Sequence, residues 1–336
     1  MRQQNIGILY NKPISQGKTH WESSIDVLTQ VEAIEHSLES LGYASARIPF
    51  TRQVESFLVR MKGEGVNIAF NLCETVDEDP RFAWHPPAVL ELLNISFSGS
   101  PSQAFMLSTD KVITKQLLKA HGIGTPDYLV YSHPGALGST ALRFPLIVKP
   151  RFEDAGIGIE QESIFENEAS LQNELEGLRS RFGPLLVEEF IAGREFNVSI
   201  FGYPETKVLP IAEIDFSAFP EDLYPIVGYR AKWDKTSFEY QNTPRIFPEL
   251  LPKALLKRIA TTALECFHLF FLRDYGRVDI RVDSLENIYV LEINANPCLS
   301  PDAGFAAAAE KAGISYTSMV DQLLSFMMRR SKNHDH

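Results

Sequence analysis

The chain has 336 residues, of which 44% are hydrophobic and 22% charged, and this composition excludes a disordered protein. Its formal net charge of -11 argues against nucleic acid or an anionic membrane as a partner, because both attract positively charged surfaces. Three cysteines without a CxxC spacing indicate neither a disulfide framework nor a zinc site. No signal peptide or membrane-spanning window is evident, so we expect a cytoplasmic protein.

The first hundred residues predict a small α/β domain with a parallel sheet. Its strands are predicted from four short apolar runs, at residues 6–10, 44–48, 66–70 and 95–97. A helix with apolar residues at helical spacing is predicted over 24–41, before Gly42. Ligands bind beyond the carboxyl ends of the strands in such sheets, so we expect the binding edge in the loops at 11–22, 71–79 and 99–103.

The middle of the chain predicts helices alternating with buried strands. A helix capped by Ser108 and Thr109 is expected to end at Gly122. The elements predicted after it are a strand at 144–149, the loop EDAGIG at 153–158, a helix at about 166–180 and a strand at 185–190. Beyond these we predict strands at 195–201 and 208–214, an irregular region at 215–248, and helices at 252–268 and 316–329.

Residues 277–294, RVDIRVDSLENIYVLEIN, predict an antiparallel hairpin with one polar face. If residues 284–287 form its loop, Asp283 pairs with Ile288, and further from the loop Asp279 lies opposite Glu292. Arg277 then lies opposite Asn294. The apolar residues predicted to alternate with this polar set are Val278, Ile280, Val282, Tyr289, Leu291 and Ile293.

The polar face of this hairpin is a candidate metal site. The Cβ atoms of directly opposed residues lie about 5 Å apart, so the carboxylates of Asp279 and Glu292 repel each other unless a cation lies between them. Magnesium suits such a place, because it takes carboxylates, water and nucleotide phosphates as ligands. The alternative interpretation is an edge hairpin with a solvated polar face.

Two lysines are candidates for binding phosphate. Lys149 ends an apolar strand just before the glycine-containing loop 153–158, where an ammonium group and backbone N–H groups could hold phosphates together. Lys111 stands at the start of a helix. Each lysine alone fits an ordinary surface residue better than a phosphate ligand, and the chain lacks the GxxxxGK[ST] motif of a P-loop.

Six segments in this order resemble the ATP-grasp fold, and more narrowly its D-alanine:D-alanine ligase branch: DKVITKQLL, FPLIVKPRFEDAGIGI, LLVEEFIAGREF, AKW at 231–233, GRVDIRV and YVLEINANP. The resemblance implies an α/β chain whose N-terminal Rossmann-like domain, with a parallel sheet, precedes a two-lobed ATP-grasp fold of α+β type. We place the N-terminal domain at 1–105, the central lobe at 106–192 and the C-terminal lobe, with the metal site, at 193–336.

The resemblance also implies roles for individual residues. ATP and Mg²⁺, with Mn²⁺ as an alternative ion, are the implied cofactors. The implied nucleotide contacts are Lys111 and Lys149 with phosphates, Lys232 with the terminal phosphates, Glu188, Glu189, Ile191 and Leu291 around adenine, and Glu195 with the ribose. The implied metal ligands are Asp279, Glu292 and Asn294, and Arg277 is the arginine that steadies the charged intermediate. The alternatives are a solvated strand end for Glu188 and Glu195, a surface lysine for Lys232 and plain core for Leu291.

The implied activity is that of an ATP- and Mg²⁺-dependent ligase that joins small amino acids or carboxylates to amines through an acyl phosphate. A homodimer is also implied. In the first-substrate loops, Glu22 could bind an ammonium group, or face solvent as an ordinary loop acid. The alternatives are a silent ATP-binding regulatory protein, a kinase that stops at the phosphorylated acid, and a ligase with a non-carboxylic acceptor, as in the mycosporine-forming relatives.

The chain departs from the family at its substrate positions. The serine-bearing loop of the family is replaced by Glu153-Asp154-Ala155-Gly156, which lacks a hydroxyl. Pro297-Cys298 replaces the usual Pro-Gly. Ala303 stands where a serine of the family binds the carboxylate of the second amino acid. These changes predict altered amino-acid substrates.

Overall fold

The computed structural model describes residues 5–14, 16–135, 137 and 140–333, which form three sheets in chain order. The first sheet is parallel, with the strand order β2-β1-β3-β4, as the apolar runs predict. Its strands are β1 (Ile6–Asn11), β2 (Ser45–Phe50), β3 (Ile68–Asn71) and β4 (Ser96–Phe97). The helices of this region are α1 (Trp21–Ser40), α2 (Val54–Gly63), α3 (His85–Leu92) and α4 (Ser102–Thr109). Of these helices, only α1 is predicted from the sequence.

The next helix, α5 (Lys111–Ala120), begins differently from the prediction. Ser108 and Thr109 end α4 and do not cap α5. The cap is Asp110, whose extended backbone leaves the side chain free to accept a hydrogen bond from the Val112 backbone N–H at 3.0 Å. Arg151 holds the same carboxylate at 2.6 Å, so the start of α5 is fixed to the segment that precedes the loop 153–158.

The second sheet is antiparallel, with the strand order β5-β8-β6-β7. Its strands are β5 (Tyr128–Tyr131), β6 (Leu146–Pro150), β7 (Ile164–Phe165) and β8 (Leu185–Glu189), and α6 (Glu168–Phe182) packs on one face. Side chains alternate across a strand, so Val148 and Val187 face α6 whereas Ile147 and Glu188, which are paired in the register, face the other side.

The third sheet is antiparallel, with the order β12-β11-β9-β13-β14, and β10 pairs with β9. Its strands are β9 (Arg194–Gly202), β10 (Lys207–Val208), β11 (Ala212–Ile214), β12 (Arg245–Ile246), β13 (Asp274–Val282) and β14 (Ile288–Asn294). The single strand predicted at 208–214 is wrong, because Pro210 lacks the N–H that a continuous ladder needs. The helices are α7 (Tyr229–Trp233), α8 (Phe238–Gln241), α9 (Lys253–Leu269), α10 (Gly304–Lys311) and α11 (Tyr316–Asn333).

The end of the described chain packs on its beginning. Val31 and Ile34 of α1 share a buried core with Val320 and Leu323 of α11. The Ser96 hydroxyl in β4 donates a hydrogen bond of 2.7 Å to the Met327 carbonyl in α11. Within the described residues, no helix combines the length and the apolar character that crossing a membrane requires.

Candidate active site

The polar face of the hairpin β13–β14 has the predicted outer register. Arg277 lies opposite Asn294, and Asp279 lies opposite Glu292. Asp279 and Glu292 therefore lie on directly facing positions, where two carboxylates repel each other unless positive charge lies near them. The predicted facing of these residues is confirmed, and metal binding stays a prediction.

Nearer the turn the predicted register is wrong by one residue. Val282, and not Asp283, pairs with Ile288, and the Asp283 backbone N–H donates to the Asn287 carbonyl at 3.1 Å. The register shifts between Asp279 and Ile280, so β14 holds one extra residue there, Leu291. This extra residue is a β-bulge.

The bulge decides which side chains of β14 face the site. Val290 and Ile293 are buried in the core under the sheet, whereas Leu291 and Glu292 between them are only partly buried. An uninterrupted strand would place Glu292 on the same face as Val290, because the side-chain period is two. The predicted apolar positions of Tyr289 and Leu291 are therefore wrong, since Val290 takes that face.

Asp279 is held by three neighbouring side chains. Arg277 binds it with two contacts, Nε to Oδ1 at 2.8 Å and Nη2 to Oδ2 at 2.9 Å. The amides of Asn197 and Asn294 donate to the same carboxylate at 2.8 and 3.1 Å. Burial alone would lower the pKa of Arg277, but the charges of Asp279 and Glu292 raise it, so the guanidinium stays charged.

Lys111 joins the hairpin to the loop 153–158. Its Nζ lies 3.3 Å from Glu292 Oε1 and 3.3 Å from Asp154 Oδ1, and it donates to the Glu153 carbonyl. Burial would raise the pKa of Glu292, but Lys111 and Lys232 lower it to about 2. Burial and the nearby Glu292 raise the pKa of Asp154 to about 7, against the opposing effect of Lys111. A helix start, a loop and a strand therefore meet at one ammonium group.

Glu188 lies between two lysines. Lys149 donates to one carboxylate oxygen, and Lys115 Nζ lies 2.6 Å from the other and 2.9 Å from the Thr125 hydroxyl. Burial would raise the pKa of Glu188, but the two ammonium groups lower it, so Glu188 is a carboxylate. Sequence reasoning missed Lys115, although it follows Lys111 by four residues and therefore lies on the same face of α5.

Glu189, the next residue of β8, has a different environment. Its carboxylate accepts from the Arg143 backbone N–H at 2.9 Å and from the guanidinium Nη2 of Arg143 at 2.7 Å. Its side chain thus binds Arg143, on the opposite face of the strand from Glu188. Any contribution of Glu189 to the site comes from its main chain.

Glu195 is bound by Arg281, a second residue that sequence reasoning missed. Arg281 Nη2 lies 2.8 Å from Glu195 Oε2, Nη1 donates to the Ile191 carbonyl at 2.9 Å, and the guanidinium covers the Phe190 ring. Arg281 follows Asp279 by two residues on β13, so alternation alone puts it on the polar face. It links the strand that carries the predicted metal ligands to the predicted ribose and adenine residues.

A small apolar cluster lies beside Glu188 and its two lysines. Ile147, Ile164 and Ile226 are buried together, with Phe190 and Tyr224 packed at the edge. The Tyr224 backbone N–H donates to the Gln161 side chain at 2.9 Å, so the segment that carries Ile226 is fixed over the second sheet. A flat apolar base would find suitable surroundings here.

The helix α7 joins the remaining predicted residues. The Tyr229 hydroxyl lies 3.3 Å from Glu22 Oε2, and the Tyr229 backbone N–H donates to the Ile159 carbonyl at 3.0 Å. Trp233 Nε1 donates to the Ala155 carbonyl at 2.9 Å. Lys232 lies between these anchors, near enough to Glu292 to lower its pKa. Glu22, α7 and the loop 153–158 therefore cover the site from one side.

Three comparisons identify relatives of this chain. The family model "D-ala D-ala ligase C-terminus" matches residues 117–325. A D-alanine–D-alanine ligase of Carboxydothermus hydrogenoformans is 33% identical over 304 residues, or 87% of this chain and 90% of that protein. The uncharacterized protein y4sG of Sinorhizobium fredii is 33% identical over 264 residues, or 78% of this chain and 75% of that protein.

The same fold occurs in the crystal structure of D-alanine–D-alanine ligase from Bacillus anthracis complexed with ATP. That structure is 24% identical, has a TM-score of 0.77, and covers 98% of this chain and 99% of its own. These findings define an ATP-grasp ligase, an enzyme that uses ATP to form carbon–nitrogen bonds. The chain belongs to the D-alanine–D-alanine ligase family.

The predicted fold class, family and enzyme class are therefore confirmed. The three domain boundaries, the homodimer, the cytoplasmic location and the roles of the individual site residues stay predictions. The structure does bring most of those residues together: Lys111, Asp279, Glu292 and Asn294 around the hairpin, and Lys149 and Glu188 on the facing sheet.

Proposed function

We propose that this protein is an ATP- and Mg²⁺-dependent ligase that joins a small carboxylic acid or amino acid to an amine, with a dipeptide-like product. The observation that carries the proposal is the position of Lys111. Its ammonium group contacts Glu292 of the hairpin and Asp154 of the loop 153–158 together. The proposed phosphate-binding cation Lys111, the proposed metal ligand Glu292 and the loop 153–158 thus meet at one point, as transfer of a phosphoryl group requires.

The hairpin residues fit Mg²⁺. Asp279, Glu292 and Asn294 offer two carboxylates and one amide oxygen, all of them hard oxygen donors. Among the described residues, no three His, Cys, Asp or Glu side chains gather around one point. A set with only two carboxylates suits an ion that takes its other ligands from nucleotide phosphates and water. When bound, Mg²⁺ supplies positive charge that neutralises the phosphates.

The residues facing the hairpin fit the rest of ATP. Lys149 and Lys111 supply ammonium groups for the phosphates, and the apolar cluster of Ile147, Ile164 and Ile226 supplies an apolar surface for the base. Glu195, held by Arg281, is a hydrogen-bond acceptor for ribose hydroxyls. We assign Leu291 to the same nucleotide surface, because the bulge turns it toward the site.

The chemistry follows from the resistance of a carboxylate to attack by an amine. A carboxylate oxygen of the first substrate attacks the γ-phosphorus, and the bond to ADP breaks, which gives an acyl phosphate. The amine then attacks the carbonyl carbon, phosphate leaves, and the nitrogen loses a proton. Lys111, Lys149 and Lys232 stabilise the phosphoryl charge, and Arg277 stabilises the oxyanion on the carbonyl carbon.

The cover over the site protects this intermediate. An acyl phosphate hydrolyses in water, so a ligase must exclude solvent while the amine arrives. The contact of Trp233 with Ala155 holds α7 against the loop 153–158, and the contact of Tyr229 with Glu22 holds α7 against α1. We also assign to Glu22 the role of accepting a hydrogen bond from the ammonium group of an amino-acid donor.

The substrates are proposed to differ from two D-alanines. Ala303 cannot donate the hydroxyl hydrogen bond that the family pattern provides to the second carboxylate. An unreplaced hydrogen bond to a charged group costs about 1.5 to 3 kcal/mol, so the acceptor subsite must use other groups or another acceptor. The altered loop 153–156 and Pro297-Cys298 support the same conclusion.

The test is incubation with ATP, Mg²⁺ and a panel of D- and L-amino acids, singly and in pairs. Phosphate release that depends on particular pairs, with the condensed product seen by mass spectrometry, supports the proposal. Hydroxylamine, added with one acid alone, traps the acyl phosphate as a hydroxamate. The matched control is Glu292→Gln, which should abolish both signals. No phosphate, hydroxamate or product across the whole panel would contradict the proposal.

A further inference from the structure

Arg245 carries a buried donor that the residues described by the structure leave without a partner. It lies on the edge strand β12, paired with Ile214 of β11. Its Nε is buried, and among the described residues it has no hydrogen-bond partner. A buried donor without a partner is costly, and most such groups in proteins are satisfied. An unsatisfied guanidinium nitrogen at an enzyme site therefore points to an anion that arrives from outside.

The guanidinium lies against the first residue of α10. A Cβ built on Gly304 would lie 3.1 Å from Arg245 Nε and 3.3 Å from Nη2. The N-cap of this helix is Ala303, whose extended backbone begins the helix without any side-chain cap. The first N–H groups of a helix lack partners within the helix, so those of α10 are available to the same anion.

The charged groups around Arg245 do not fully neutralise its positive charge. Burial and the positive charge of Arg277 lower its pKa, whereas Asp302 and Cys298 act in the opposite direction. Asp302 is exposed and lies beyond ion-pair distance of Arg245 among the described contacts. Arg277, in contrast, is already bound by Asp279. Two guanidinium groups thus lie near each other, and within the described part of the chain Arg245 has no carboxylate partner.

We propose that Arg245 binds the carboxylate of the amine substrate and determines the preference for amine substrates that carry one. This inference rests on the proposed function. The guanidinium provides the charge, and the uncapped start of α10 provides additional N–H donors. Arg245 would thereby compensate for the hydroxyl that Ala303 lacks, from a different strand and with a stronger, charged donor.

The experiment compares an acceptor amino acid with its amide, which keeps the nucleophilic amine and loses the carboxylate charge. The variants are Arg245→Gln, Arg245→Lys and the control Arg258→Gln, an exposed arginine of α9 that pairs with Glu286. We expect Arg245→Gln to lower kcat/KM for the amino acid about 10- to 100-fold, mainly through KM, and for the amide less than about twofold. Arg245→Lys should recover part of the loss, and the control should match the wild type.

Hydroxamate formation from the first substrate alone separates the role of Arg245 from the proposed ligase function. It should be unchanged in Arg245→Gln, because hydroxylamine carries no carboxylate for Arg245 to bind, and this also shows that the variant folds. Equal losses with the amino acid and its amide, or a wild type that prefers the amide, would overturn the role of Arg245. Absence of hydroxamate in the wild type would instead contradict the proposed function.

Discussion

Replacing Glu188 with glutamine should cost about 3 to 5 kcal/mol of unfolding free energy, the typical cost of removing one partner from a buried ion pair. The side chains of Glu188 and Lys115 are only 1% and 2% exposed, and Lys149 is 13% exposed. Neither lysine can turn to water to recover its hydration. The glutamine keeps the shape of the side chain and one acceptor oxygen, so the loss of unfolding free energy reports the removal of the carboxylate charge alone.

The neighbouring residue supplies a matched control. Glu189→Gln makes the same chemical change one residue along β8, where the partner is Arg143 with a side chain that is 78% exposed. A solvent-exposed arginine loses little when its partner becomes neutral, so this variant should cost less than about 1 kcal/mol. Urea unfolding followed by circular dichroism at pH 7 measures both variants. Equal losses would refute the reasoning, because burial is the main difference between the two pairs.

The loss of Glu188 should also change how the free energy of unfolding depends on pH. Burial lowers the pKa of Lys115 in the folded protein, and removing Glu188 lowers it further, because that carboxylate favours the ammonium form. The unfolded chain then binds the proton more readily than the folded one. The free energy of unfolding should therefore rise with pH between the folded and unfolded pKa values of Lys115, and more steeply in Glu188→Gln than in the wild type.

Three further variants test other parts of the site. Burial raises the pKa of Glu74 from 4.5 to about 7. Protonated Glu74 therefore stabilises the fold fully below pH 4.5, and this stabilisation is lost as the pH rises through 7. In pH-dependent unfolding, the wild type should lose about 3 kcal/mol more unfolding free energy than Glu74→Gln over this window. Arg281→Met should lower the unfolding free energy by about 3 to 5 kcal/mol, because it leaves Glu195 buried and unpaired; an unchanged urea midpoint would contradict this. Lys232→Met should lower kcat about 100-fold in steady-state assays while changing stability by less than about 0.5 kcal/mol, because we propose that its ammonium group acts on phosphates; a loss of stability equal to the loss of activity would indicate a structural role.

The outer half of the hairpin is predicted correctly only because two errors compensate there. The predicted loop 284–287 is one residue too short, and the bulge at Leu291 is missed. Counting outward from that loop therefore gives the observed facing of Asp279 and Glu292. The register nearer the turn is predicted wrongly, because it lies between the loop and the bulge. A bulge has no strong local signature when its residue is an ordinary leucine.

Contacts between distant segments account for most of the other misses. Asn197 reaches Asp279 only because β9 lies beside β13, and strand order is not encoded in local periodicity. Lys115 is buried only because β8 places Glu188 against it, and the sequence of α5 alone does not indicate this contact. Arg281 is different, since its position two residues from Asp279 already indicated the polar face.

Helix boundaries show the same limit on a smaller scale. Ser108 and Thr109 are good cap residues by type, yet Asp110 is the cap because Arg151 holds its carboxylate beside the helix start. The capping preference of each residue type is local, whereas the choice among three adjacent candidates is made by a partner about forty positions away.

The central claim is that the hairpin β13–β14 binds a divalent ion together with the phosphates of ATP. Calorimetric titration with a nonhydrolysable ATP analogue, with Mg²⁺ and then with EDTA, tests it most directly. The wild type should bind the analogue at least about tenfold more tightly with Mg²⁺, and Glu292→Gln, which removes one carboxylate, should lose most of this difference. Equal affinity with and without the ion in the wild type would contradict the account.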